Sequence, residues 1–178
     1  MLIIELLQAD RHDRQAFVCG EPSLDRYLQQ QATQHHRDGI STTHVLIDDA
    51  EPARTLGYYS LSAAQLLLTD LRESDRKRLP KYPVPAIRLG RLAVLAQEQG
   101  KGHGDFLLGH AVARCLALRE QLGVRVLLVD ALHEGIRDNT TAIEFSRLKA
   151  SADALSAVML PLLVLNYMLK TKTHLSKS

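Results

Sequence analysis

The segment EQGKGHGDFLLGHAV, residues 98–112, restricts the fold more than any other: three glycines, a lysine and a histidine fall within residues 99–104 and an apolar run comes after them. The preceding AIRLGRLAVL (86–95) reads as a strand. Residues 104–122 carry helical periodicity through Phe106, Leu107, Ala111, Cys115 and Leu118, and Gly123 closes the helix. VRVLLVDAL (124–132) then reads as a strand buried on both faces. Strand, glycine turn, helix and strand form a crossover between parallel neighbours, which places the chain among α/β folds with a mixed sheet.

A turn this bare ahead of a helix gathers free backbone N–H groups at the positive end of the helix dipole, a setting for phosphate or pyrophosphate. The glycines allow close backbone approach, and some turn positions need positive φ. Lys101 adds charge at the rim. Taken alone, a GxGxG stretch is weak, and a ligand-free turn stays open. Walker A is excluded, since no Gly-Lys-Ser/Thr follows at its spacing. The mid-chain position argues against a dinucleotide fingerprint, which belongs to a first strand with an acidic residue about 20 positions on.

Elsewhere, PSLDRYLQQQATQHHRDG (22–39) reads as a helix capped by Ser23, striped by Leu24, Tyr27 and Leu28 and stopped by Gly39. THVLID (43–48) and RTLGYYSLSAAQL (54–66) read as strands around a polar turn. A helix over 69–79 is broken by PKYPVP, a short helix spans 139–148, and AVMLPLL (157–163) forms a last strand. At 178 residues the expectation is one domain over 1–165 and a tail over 166–178.

A net charge of +2 makes any basic surface a local one. The two cysteines, Cys19 and Cys115, show neither metal nor disulfide spacing, which fits a reducing cytosol. The opening MLIIELLQAD lacks the marks of a signal peptide, and the apolar run 157–170 is interrupted by Pro161 and too short to span a bilayer. A cytoplasmic protein with no membrane partner is therefore expected. The eight histidines show no metal spacing, adjacent His35 and His36 pointing to different sides of a helix, so no metal is expected.

The stretch Gln99-Gly100-Lys101-Gly102-His103-Gly104 resembles the [Q/R]-x-x-G-x-[G/A] loop of the GNAT N-acetyltransferases. NTTAIEFS (139–146) resembles that fold's N-x-x-A-x-x-F-Y segment. FVCGEPSLDRYLQQQATQ, GYYSLS (57–62) and LPKYPVPAIRLGRLAV (79–94) are similar to the GNAT toxins of type II toxin–antitoxin pairs, the likeness running from about residue 15 to 146. The resemblance implies a GNAT-like mixed central sheet flanked by helices, acetyl-CoA as cofactor, and acetylation of the α-amine of aminoacyl-tRNA. It also implies restraint by a small ribbon-helix-helix antitoxin, with a homodimer as one assembly. By position it implies that Leu92, Ala93 and Val94 pair with the pantetheine arm. Gln99, Gly100, Lys101, Gly102, His103 and Gly104 would hold the pyrophosphate, and Asn139 would contact the cofactor or cap a helix.

The likeness fails at one chemically important position. Ser146 stands where the family has the tyrosine suited to protonate the departing thiolate, and an alkyl hydroxyl is a far poorer acid than a phenol. SRLKASADAL continues the departure, and Leu95 occupies a position that is usually polar. Thiolates leave readily, so a slow or silent enzyme with its cofactor site intact is expected. Tyr58, Tyr59, Tyr82 or a water held by Ser146 are alternative proton donors. The strand 86–95 offers no glutamate as general base, which suits an α-amine of pKa about 7.7–8.0 better than a lysine. Arg76, Lys77, Arg78 and Lys81, with Arg88 and Arg91 beyond, form the local basic cluster that would neutralise tRNA phosphates or simply face solvent. A catalytically impaired CoA-binding relative and a small-molecule amine acetyltransferase are the competing readings.

Overall fold

The computed structural model describes residues 1–66, 83–124, 126–130 and 140–144. Within them, β1 (Leu2–Leu6), β2 (Thr42–Asp48), β3 (Gly57–Leu66), β4 (Val84–Val94), β5 (Val126–Asp130) and β6 (Thr140–Glu144) form one six-stranded sheet in chain order. All neighbours are antiparallel except β4 and β5, which run parallel. The helix between them, α3 (His103–Leu122), supplies the crossover that a parallel pair requires. The expected mixed α/β sheet is the one that forms.

Of three apolar clusters among the described residues, the two largest cover opposite faces of the sheet. On one face Leu107, Leu108, Ala111, Val112 and Cys115 of α3 pack on Leu46, Tyr59, Leu61, Ile87, Leu89, Leu127 and Val129. On the other, Leu24, Tyr27, Leu28 and Ala32 pack on Val45, Ile47, Tyr58 and Ala93. Such fully buried leucines each cost roughly 2–5 kcal/mol when cut to alanine, so packing rather than helix propensity holds α3, which carries glycines at 104 and 109.

The N-terminal helical stretch departs from a plain helix. It comprises α1 (Pro22–Arg26), a π turn (Tyr27–Gln31) and α2 (Ala32–Arg37). Its N-cap is Glu21 rather than Ser23. The Glu21 carboxylate accepts from the Ser23 backbone N–H at 3.3 Å and its hydroxyl at 2.9 Å. At the other end Gly39 N–H donates to His36 O and Ile40 N–H to His35 O, the paired bonds of a Schellman stop.

Two further differences concern strands. β1 has no counterpart among the expected elements: an unalternated apolar run beside no turn signal does not distinguish strand from helix. Residues 139–148, expected as a short helix, contain β6 instead. Thr140, Thr141 and Ile143 are β-branched, and antiparallel pairing with β5 from Asp130↔Thr140 to Val126↔Glu144 outweighs the helical pattern. The expected helix 69–79 and strand 157–163 lie outside the described residues. Among the described residues, no helix is long and apolar enough to cross a membrane.

Candidate functional site

The site begins with a defect in β4. Ser60 opposes Arg91 but Leu61 opposes Leu89, so Gly90 is an extra residue bulged out of the β3–β4 ladder. An isolated glycine within a strand pattern is the sequence mark of such a bulge. The bulge swaps faces. Ile87 and Leu89 point toward α3, whereas beyond it Ala93 joins the opposite core and Leu92 and Val94 take the α3 side.

The parallel pairing of β4 with β5 ends at the same place, its last register pair being Leu89↔Val129. Beyond it β4 continues for five residues beside β3 alone among the described strands. Leu95 N–H donates to Leu56 O at 2.9 Å, which fixes the alternation. Ala93 and Arg91 direct their backbone groups to β3, while Leu92 and Val94 direct theirs to the opposite edge, beyond the last β5 pair. The Val94 carbonyl on that edge accepts from Gln99 Nε2 at 3.1 Å. Extended backbone there is a template for an amide-bearing chain.

This edge runs directly into the glycine loop. After a 3₁₀ turn (Ala96–Glu98), Gly100 and Gly102 take φ of +78° and +83°, and Gly102 is the N-cap of α3. These are left-handed conformations that a side chain disfavours. No side chain caps α3, and its first internal bond is Phe106 N–H to Gly102 O. The N–H groups of His103, Gly104 and Asp105 therefore converge at the helix's positive end, as anion binding requires. A Cβ at Gly104 would meet only Val94 Cγ2 at 3.9 Å. The protein's own packing leaves room for a side chain at that position.

The charged groups around the loop are already engaged. Glu98 Oε2 lies 2.8 Å from Lys101 Nζ and 3.5 Å from His103 Nε2, and its Oε1 lies 2.9 Å from Arg54 Nη2. The hydrogen bond from Lys101, with the Arg54 charge, holds the Glu98 carboxyl below the usual range. Gln99 Nε2 also donates to Cys19 O at 2.8 Å, tying the loop to the N-terminal segment. A cleft of about 450 Å³ lined by Leu2, Asp48, Arg54, Leu56, Glu98 and His103 lies beside the loop and does not include Leu92 or Val94.

On the opposite face, Arg91 sits with its guanidinium carbon 3.9 Å from the Tyr27 ring centroid. Tyr27 is held by hydroxyl contacts of 2.9 Å to Ser41 and 3.0 Å to Thr43. Arg88 is exposed on β4. Tyr58 and Tyr59, two of the alternative donors, do not serve that role. Both are fully buried, Tyr58 donating to Leu24 O and Tyr59 bonding His110 Nδ1, each at 2.8 Å. Burial drives both phenols well above their ordinary pKa. Burial likewise pushes the Cys19 and Cys115 thiols up to about 12. Ser146, Asn139, Tyr82, Arg76, Lys77, Arg78 and Lys81 lie outside the described residues.

Sequence reasoning missed the Glu98–Arg54 pair and the Tyr27–Arg91 stack. Their partners are separated by 44 and 64 positions, and no local pattern marks them.

No family model matches the chain. It is 40% identical over 129 residues to the tRNA-acetylating toxin of Mycobacterium tuberculosis (strain ATCC 25618 / H37Rv), covering 72% of this chain and 75% of the relative. Its fold matches AtaT complexed with acetyl-methionyl-tRNAfMet at a TM-score of 0.73 and 27% identity, covering 84% of this chain and 98% of AtaT. It also matches a tyrosine-to-phenylalanine mutant of AtaT bound to acetyl-CoA and the C-terminus of the antitoxin AtaR. There the TM-score is 0.67 at 27% identity, over 82% and 94% of the two chains. With 40% identity over nearly three quarters of its length and the same fold as these toxins, the chain belongs to the GNAT-fold tRNA-acetylating toxin family.

Proposed function

We propose that this chain is an acetyl-CoA-dependent N-acetyltransferase that modifies the α-amine of aminoacyl-tRNA, the toxin of a toxin–antitoxin pair working in the cytosol. One observation carries the reading. The β4 edge beyond its last β5 pair at Leu89 leads straight into the uncapped N-terminus of α3. An extended amide-bearing arm fits the first feature and a pyrophosphate fits the second.

Leu92 and Val94 bind the pantetheine arm through their backbone groups, while Ala93 supports them from within the ladder. Gly100, Gly102, His103 and Gly104 present backbone N–H groups to the pyrophosphate. Gln99 acts through its grip on Val94 O and Cys19 O. Lys101 and Asn139 contribute at the rim. Bound acetyl-CoA supplies an activated acyl group. The chain's task is to orient it, exclude water and admit a neutral amine. An α-amine of pKa about 7.7–8.0 is partly neutral at cytosolic pH and needs no dedicated base.

The M. tuberculosis relative acetylates tRNA, and AtaT is seen with acetylated methionyl-tRNA and with the antitoxin AtaR. By likeness this chain takes the same classes of partner. Arg76, Lys77, Arg78, Lys81, Arg88 and Arg91 are the proposed tRNA contacts, within a single domain over 1–165 followed by a tail.

Ser146 supports a second reading, a relative that keeps cofactor and partner surfaces but turns over slowly. Transfer of label from acetyl-CoA to charged tRNA decides between them. Label on the aminoacyl α-amine supports the enzyme. Acetyl-CoA binding without transfer supports the second reading.

A further inference from the structure

The glycine loop has a conformational problem that its own residues do not solve. Gly100 and Gly102 have open space around them and no side chains, and both sit at positive φ. A segment of this kind orders poorly unless something outside it supplies the restraint. The Glu98 carboxylate joins the loop to a distant element. It bonds Lys101 within the loop and approaches His103 at the start of α3. It also reaches Arg54, which precedes β3 and lies 44 positions away. Its side chain is only 12% exposed, and those of Arg54 and Lys101 are 44% and 55% exposed.

From this geometry we propose that Glu98, anchored by Arg54, is the positioning residue of the pyrophosphate loop. One carboxylate oxygen grips the residue between the two left-handed glycines together with the first residue of α3. The other fastens that assembly to the segment leading into β3. The N–H groups of His103, Gly104 and Asp105 are thereby aimed before the ligand arrives, and their ordering is not charged against binding. Glu98 is not a catalytic residue, since it acts through the loop. The inference rests on the acetyl-CoA reading of that loop.

The test is calorimetry with acetyl-CoA on wild type, Glu98→Gln, Glu98→Asp, Arg54→Ala and the double variant E98Q/R54A. It is joined by amide hydrogen exchange of residues 99–105 in the free proteins and by kcat and KM for acetyl-CoA. Glu98→Gln should weaken acetyl-CoA about 10-fold and raise KM to match, with kcat and the melting temperature little changed. Exchange across the loop should quicken, and Glu98→Asp should recover part of the affinity. Arg54→Ala, at an exposed position, should act in the same direction, and the double variant should be no worse than Glu98→Gln because both remove one restraint.

Wild-type affinity and exchange in Glu98→Gln and Arg54→Ala would overturn the proposal. So would tighter binding in Glu98→Gln, which would mean that Glu98 merely competes for Lys101. If wild type itself binds no acetyl-CoA, the cofactor reading falls and this inference with it. Weakened variants beside a tight wild type distinguish that failure from a failure of Glu98 alone.

Discussion

Gly102 and Gly104 stand two residues apart for different reasons, and alanine at each separates them. Gly102 has φ +83°, where a side chain costs roughly 1–2 kcal/mol. Gly102→Ala should therefore destabilise the free protein. Gly104 lies in the first turn of α3, and a Cβ there would make only an ordinary contact, 3.9 Å to Val94 Cγ2. Replacing a helical glycine by alanine gains up to about 0.5–1 kcal/mol, so Gly104→Ala should melt at the same temperature as wild type or about 1–3 °C higher. Alanine is also what the [Q/R]-x-x-G-x-[G/A] loop admits at this place, so Gly104→Ala should keep acetyl-CoA affinity near that of wild type. Aspartate is the substitution that reaches the ligand. Cα–Cβ bonds tilt toward a helix's N-terminus, so its carboxylate projects into the space where an anion would meet the His103, Gly104 and Asp105 N–H groups. Losing one charge-assisted hydrogen bond there costs about 1.5–3 kcal/mol, or roughly 10–100-fold in acetyl-CoA affinity, and like-charge repulsion adds to the loss. Calorimetry paired with thermal melts of the free and ligand-saturated protein measures both effects. A folded Gly104→Asp protein that binds acetyl-CoA as well as wild type would refute the placement of the pyrophosphate.

Three other outcomes are expected from separate parts of the chain. Arg76, Lys77 and Arg78 changed together to glutamate should weaken binding of charged tRNA and flatten its dependence on salt, because fewer counterions are released; an unchanged slope would make the cluster a solvated face. Ser146→Tyr should raise the acetylation rate by up to ~10²–10⁴-fold with little change in cofactor affinity, and a wild-type rate already matching active relatives, with no gain from tyrosine, would point to another donor. Burial, then the nearby Arg114, His110 and His36 charges, lowers the His44 pKa from 6.5 to about 4. The unfolded chain therefore takes up the proton first, and stability present above pH 6.5 is lost as pH falls toward 4. The full shift corresponds to at most about 3 kcal/mol. Denaturant titrations between pH 7 and 4 should show the loss, and His44→Phe should flatten it.

How much is legible in the sequence depends on how local each cause is. The crossover can be read because strand 86–95, the glycine turn and helix 104–122 each carry their own signal within a few residues. So can the stop at Gly39, which needs only the adjacent turn. The helix over 22–39 is legible, but not its π turn, where Tyr27 is held by Thr43 of β2 and by Ser41 just before that strand. β6 reads as a helix because its strand character comes from pairing with β5, a tertiary effect that outweighs the local pattern. Within the site, the loop glycines are visible and the Glu98–Arg54 strap is not. Periodicity does not encode a salt bridge across 44 positions. Tyr58 and Tyr59 look available as acids because their sequence neighbours say nothing about the two cores that enclose them.

The bulge at Gly90 explains why the losses after Ser146 need not reach the cofactor. It divides β4 at its last pair with β5, Leu89↔Val129, so among the described residues the β4 half proposed for the donor is held by β3 and the loop. Leu92 and Val94 face the open edge because Leu95, Ala93 and Arg91 are spent on β3, an arrangement complete within residues 56–95. The proposed acceptor side begins one residue earlier. Arg91 leaves the strand toward the N-terminal helices and lies on Tyr27, half-buried on that face. The proposed donor and acceptor groups are thus separated by a single step of one strand and by the direction in which successive residues point. A chain built this way can drift at the position that assists the leaving thiolate while its donor edge and its acceptor face stay in register. Cofactor affinity and transfer rate are then free to change independently.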